Sequence, residues 1–183
     1  GGLRIGKPLN ERSPGEAPDE RREWDRDGQY YHYATKWMHA LGRTARVFED
    51  PTYIRWALEL ARTTHAAFVY APPAGGRKRM YWKMSIDLTR PLVAAMGQHD
   101  PLDGLVTYSE LQLAARDVGA SPQPALAAEI ADMAAICRGM RWETSDPLGI
   151  GGLLFDAARI AQVIVAGGFR YGSLLESVAA AAS

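Results

Sequence analysis

Acidic residues followed by glycine recur three times along this chain, each time just ahead of a stretch with helical periodicity. The three turns are Trp24-Asp25-Arg26-Asp27-Gly28, His99-Asp100-Pro101-Leu102-Asp103-Gly104 and Ser145-Asp146-Pro147-Leu148-Gly149. Taken singly, each reads as a helix cap: Asp is a preferred N-cap, Pro suits the first helical position, and a negative charge at a helix N-terminus stabilises it by a few tenths to about 1 kcal/mol. Taken together they permit more. If the helices they precede run parallel, Asp25, Asp27, Asp100, Asp103, Glu143 and Asp146 meet at one end of the domain, among Trp24, Tyr30, Tyr31, His99 and Trp142. Carboxylates among aromatic rings suit a carbohydrate. Ring faces stack on pyranoses, carboxylates accept from hydroxyls, and a carboxyl pair supplies the acid and the base for glycosidic cleavage. Crowded carboxyls also raise one another's pKa, which keeps one of them protonated.

On this reading Asp103 and Asp100 are the candidate acid/base residues, with Asp27 across from them. Trp24, Asp25, Tyr30, Tyr31, His99, Trp142, Glu143 and Asp146 are the candidate substrate-binding residues. His99 reads either as a general base oriented by its neighbour Asp100 or as a further cap. The expected ligand is a small sugar or oligosaccharide.

Other chemistries find less support. His32 and His39, with Lys36 between them, lack zinc-site spacing and read as a solvated stripe, and the one cysteine, Cys137, excludes an internal disulfide and a multi-cysteine metal site. No metal or cofactor is expected. Asp25-Arg26-Asp27-Gly28 resembles the opening of a calcium loop whose later ligand positions are missing. The glycines near 75–76, 149–152 and 167–168 lack the P-loop lysine and the dinucleotide-binding spacing. Lys plus Arg equals Asp plus Glu at 21 each, so the chain lacks the basic footprint of a nucleic-acid binder. The apolar run from Gly149 to Phe169 contains Asp156, Arg159 and Gln162, which suits an internal core helix better than a membrane span. With no leader in view, a cytoplasmic location is expected. From the ends, Gly-Gly without Met and a closing run of alanines, a fragment or a trimmed chain is expected.

The elements that must position these residues are helices. Residues 1–28 read as an extended strap, and 29–183 as a helical-hairpin domain. Its helices are expected at 29–48 and 51–70, 102–118 and 122–140, and 150–166 and 173–182, paired through Asp-Pro or Ser-Pro joints. In the first, Tyr30, Tyr33, Trp37, Leu41, Ala45 and Phe48 recur at helical spacing and are expected to form the buried face. Helix 150–166 is apolar nearly all round and is expected to be the most buried. Met80, Trp82, Met84 and Ile86 alternate with Tyr81, Lys83 and Ser85, which predicts an extended segment near 79–87. The fold class is therefore all-α, a toroid or partial toroid of consecutive hairpins.

The runs 23–42, 79–84 (Arg-Met-Tyr-Trp-Lys-Met) and 97–104 (Gly-Gln-His-Asp-Pro-Leu-Asp-Gly) resemble bacterial proteins of the six-hairpin glycosidase-like group. Its architecture is similar to that of the N-acylglucosamine 2-epimerase fold. The resemblance covers roughly residues 1–104 and lies in general pattern. It implies twelve helices in a double ring, with the active site at the N-terminal end of the inner helices. It further implies a glycoside hydrolase, or alternatively a sugar isomerase or epimerase. A non-catalytic helical-repeat scaffold for a protein or glycan is the reading from another class. Three hairpins make half a ring, so a second copy or a further C-terminal half would be needed to complete it.

Overall fold

The computed structural model describes residues 4–119, 126–167 and 172–182. Some 58% of these residues are helical, with small sheets attached. The order is α1 (Glu20–Glu23), β1 (Gln29–Tyr30), α2 (Tyr31–Phe48), α3 (Pro51–Phe68), β2 (Val69–Tyr70), β3 (Arg79–Met80), β4 (Lys83–Met84), β5 (Pro91–Val93), α4 (Asp100–Asp117), α5 (Ala127–Cys137), α6 (Pro147–Val165) and α7 (Gly172–Ala181). The expected Ser121-Pro122 joint and Gly168 lie outside the described residues.

Helices pair as the periodicity predicts. Asp50 caps α3 by accepting from the Thr52 backbone N–H at 2.8 Å, with Pro51 in the first turn. The structure packs α2 on α3 and α4, α4 on α5 and α6, and α6 on α7. The central helix is α4, in which every residue from Asp100 to Ser109 is buried. This corrects the expectation for the last apolar helix: α6 buries Leu153, Ile160 and Val163 but exposes Leu148, Leu154, Phe155 and Val165. By length and composition alone α6 could cross a membrane.

A second correction concerns α2, whose buried face is Tyr31, Ala34, Thr35, Met38, Gly42 and Ala45. Tyr33, Trp37 and Phe48 are exposed instead. Small residues win because α2 meets two helices at close range. A Cβ at Gly42 would stand 3.0 Å from the Leu111 side chain. At Gly104 of α4 a Cβ would collide with the phenol oxygen of Tyr31, which reaches Tyr108 Oη at 2.8 Å through that gap.

The segment near 79–87 is not one strand. It divides into β3, antiparallel to β2, and β4, the centre of an antiparallel β1-β4-β5 sheet. Gln29 and Tyr30 belong to β1 rather than to the helix. Lys83, on β4, is fully buried and ties down the N-terminal segment: its Nζ donates to the carbonyls of Glu23 and Arg26 at 2.6 Å each.

Ile160 is fully buried in the core. Ile160→Ala is expected to lower the unfolding free energy by about 2–5 kcal/mol, measured by urea denaturation. A loss below about 0.5 kcal/mol would place this side chain outside the packed core.

Candidate functional site

The first turns of α2, α4 and α6 face a common cleft of about 470 Å³. His32 and Lys36 enter from α2, Asp100 and Asp103 from α4, and Phe155 and Asp156 from α6; Trp82, Gln98, His99 and Asp146 stand in the connecting segments. Glycines 97, 149 and 152 leave the backbone bare along the wall.

At the floor, one guanidinium organises three carboxyl groups. Arg159 Nη1 donates to Asp103 Oδ1 at 2.7 Å and to Asp156 Oδ1 at 3.0 Å. Nε and Nη2 both donate to the Glu110 carboxylate, at 3.1 and 2.8 Å, and Nη2 also donates to Thr107 Oγ1 at 2.7 Å. Asp103 receives further donors in Thr35 Oγ1 at 2.5 Å, Lys36 Nζ at 3.1 Å and Thr107 Oγ1 at 3.3 Å. His39 Nδ1 donates to Glu110 at 3.0 Å. Asp103, Asp156 and Arg159 are all buried.

This unequal supply of donors drives the carboxyl groups apart. Burial works against ionisation of Asp103, but Lys36, Arg159 and Thr35 outweigh it and hold its pKa below the usual range. Glu110 is half-buried, which works against its charge, and the hydrogen bonds from His39 and Arg159 bring it down to about 2. Asp156 goes the other way: burial first, then the charge of Asp103, push it up to about 7 despite Arg159. The Asp103 and Asp156 oxygens share one nitrogen, so they lie within about 6 Å, the scale on which glycosidase carboxyl pairs operate.

Asp100 differs from both. It is 7% exposed, its Oδ2 is closed off from solvent without a hydrogen-bond partner, and the carboxyl rests against Gly97. Its Oδ1 is 3.7 Å from His32 Nδ1. Asp100 is not a cap: the N-cap position of α4 is His99, which makes no side-chain cap bond. Aromatic surface flanks the acids. Trp82 stacks on Trp24 at 5.7 Å and leans on Tyr30 at 5.0 Å. Phe155 carries Lys36 Nζ 5.3 Å from its ring centre.

Of the residues singled out in the sequence, Asp100, Asp103, His99 and Asp146 line the cleft. Asp146 also caps α6, accepting from the Leu148 and Gly149 N–H groups. The first turn takes another path. Asp27 is buried away from the cleft lining, where its carboxylate accepts from the Gly6 and Gly28 N–H groups and pairs with Arg4 at 3.0 Å. It holds the N-terminal strap in place, and those donors keep its pKa low against burial. Asp25 is exposed, and Trp24 reaches the cleft only through Trp82. Tyr31 lies in the core against Phe68 and Tyr108, Tyr30 behind Trp82, and Trp142 beneath His99, whose Nε2 meets the Trp142 carbonyl at 3.3 Å. Glu143 is exposed; its carbonyl accepts from Gln98. Asp156, Arg159, Lys36, Trp82 and Phe155 are the site residues that sequence reasoning passed over. The two charges interrupting an apolar helix were the available clue.

Among the described residues, no group of three or more His, Cys, Asp or Glu side chains is arranged to hold a metal ion. No protein-family model matches the chain, and no significant match was found among curated proteins or solved structures.

The opposed carboxyl shifts give stability a defined pH dependence. Asp156 has a raised folded pKa, so folding takes up a proton between the ordinary Asp range and about pH 7, and the cost of burying this group grows as pH rises through that window. Asp156→Asn is therefore expected to stabilise the protein at about pH 8 relative to wild type, by the order of a few kcal/mol, and much less at about pH 4. Glu110, with its lowered pKa, contributes stability that is present above about pH 4.5 and lost as pH falls towards 2. Thermal melts of wild type and Asp156→Asn across this range check both signs; equal effects at the two pH values would contradict the assignment.

Proposed function

We propose that the protein is a carbohydrate-active enzyme, a glycoside hydrolase in which Asp156 is the general acid and Asp100 the base or nucleophile. The observation that carries this reading is the pairing, in one cleft, of a carboxyl driven towards its protonated form with a second that keeps a buried, unpartnered oxygen. Glycosidic cleavage requires one carboxyl group that delivers a proton and a second that acts as base or nucleophile. Asp103 is saturated by donors and acts as a positioning residue: it anchors Arg159 and its charge keeps the proton on Asp156. Trp82 and Phe155 supply faces for a pyranose, and a 470 Å³ cleft suits a mono- or disaccharide rather than a polymer crossing an open groove.

The packing of α2, α4 and α6 side by side, each with its partner helix, supports a partial six-hairpin toroid with these three helices as its inner ring. Tyr33 and Trp37 on α2, 45% and 53% exposed, and Leu154 on α6, 54% exposed, leave apolar surface on the inner helices. Further hairpins, from a second copy or from additional chain, would cover that surface in a complete ring. The same exposed aromatics favour the scaffold reading as the second choice.

Turnover of a panel of aryl glycosides and disaccharides separates the two. Wild type is expected to hydrolyse at least one member, and Asp156→Asn and Asp100→Asn each to lower kcat by about 10²-fold or more while the fold, followed by circular dichroism, is kept. Saturable sugar binding without turnover in wild type would favour the scaffold, and full turnover by both variants would clear these residues of catalysis.

A further inference from the structure

The charges at the floor of the cleft do not balance. Three carboxyl groups, Asp103, Glu110 and Asp156, are joined by hydrogen bonds to two permanent cations, Arg159 and Lys36. With all three carboxyl groups ionised and His39, which donates to Glu110, neutral, the cluster would carry one uncompensated negative charge around the buried Asp103 and Asp156, a cost that a proton taken up within the cluster relieves. Donor supply decides where such a proton resides. Asp103 receives hydrogen bonds from Thr35, Lys36, Thr107 and Arg159, and Glu110 from His39 and two nitrogens of Arg159. Asp156 receives one, from the guanidinium nitrogen it shares with Asp103.

We propose that the cluster holds one buried proton on Asp156, and that Glu110 and His39, on the far side of Arg159, are positioning residues that keep it there. Glu110 occupies Nε and Nη2 of the guanidinium, so Arg159 turns only Nη1 towards the two aspartates. His39 in turn orients the Glu110 carboxylate for that two-point grip. Of the other groups facing the cluster, only His39, at 3.0 Å from Glu110, could relieve the imbalance by carrying the proton itself; the donor-poor, more deeply buried Asp156 is the better place for it. Cys137 of α5 presents a buried thiol whose pKa burial raises to about 12, Tyr31 of α2 and Tyr108 of α4 are buried phenols, and Asp100 adds another acid at the start of α4. Its catalytic consequence rests on the carbohydrate reading, in which this proton is the one delivered to the leaving oxygen; the proton itself rests on the cluster alone.

The test reads the proton without turnover. Infrared spectroscopy of the whole protein follows the carbonyl stretch of protonated carboxyl groups as pH is raised. Wild type is expected to retain such a band at about pH 6, well above the ordinary Asp range, and Asp156→Asn to lose it. Glu110→Gln removes one negative charge and loosens the two-point grip, so the band should titrate at a pH lower by at least one unit. His39→Leu, at a half-exposed position, provides a second variant should Glu110→Gln not fold. It removes the donor that orients Glu110, so the grip on Arg159 loosens and the midpoint should fall, as in Glu110→Gln. A wild-type spectrum without the band at about pH 6, or a band that survives Asp156→Asn, overturns the proposal. So does an unshifted midpoint in the folded positioning variants. If the band behaves as expected but no glycoside is turned over, the enzymatic reading fails and the buried proton stands.

Discussion

The guanidinium of Arg159 is the contact on which the rest of this molecule depends. It spends its donors on Glu110, Thr107 and Asp103 of α4 and on Asp156 of its own helix, and so docks an otherwise apolar α6 onto the central helix in a single rotational setting. Apolar packing through Leu153, Ile160 and Val163 supplies attraction but little direction. The ion cluster supplies direction, because a small rotation of α6 would strand buried charges, and breaking a buried pair costs about 3–5 kcal/mol. From α2, Lys36 and Thr35 close the same cluster on Asp103. The helices α2, α4 and α6 are thereby registered around one cation, and the cleft is the space their first turns enclose.

The same constraint shapes the chemistry. A cluster with more carboxyl groups than cations cannot treat them alike, and their unequal share of N–H and O–H donors converts geometry into different protonation preferences. Function-bearing asymmetry of this kind needs no exotic residue; Thr35, Thr107 and Lys36 produce it by all serving Asp103. On the other side of the cleft, Trp82 is backed by Trp24 and Tyr30. Those two predicted contact residues thus support the wall instead of forming it.

Helix pairing and the second and third acidic turns were legible in the sequence because capping and periodicity are local. The Asp50-Pro51 joint and the Asp146 cap follow from one or two neighbours in the chain. The face of α2 was not legible. Tyr33 and Trp37 at helical spacing resemble a core stripe, whereas the true buried face, with Ala34, Gly42 and Ala45, is small and inconspicuous. Its advantage is close approach to two helices, a property of the neighbours. Asp27 misled for a related reason: its partners, Gly6, Gly28 and Arg4, lie mostly in a strap without periodicity. Asp156 and Arg159 stood out as charges in an apolar run, but only the approach of α4 converts them from exceptions into a site. The alternation near 79–87 was real, yet its residues divide between two sheets, because Tyr81 and Trp82 separate β3 from β4 and pairing partners come from distant segments.

Neutron diffraction from crystals soaked with a non-hydrolysable disaccharide at neutral pD locates the proton most directly. A deuteron is expected on an Asp156 oxygen pointing to the glycosidic oxygen, none on Asp103 or Glu110, and a sugar carbon or its attacking water next to Asp100. A disaccharide bound in the cleft beside an Asp156 without a deuteron, with the compensating charge on His39 instead, would contradict that expectation.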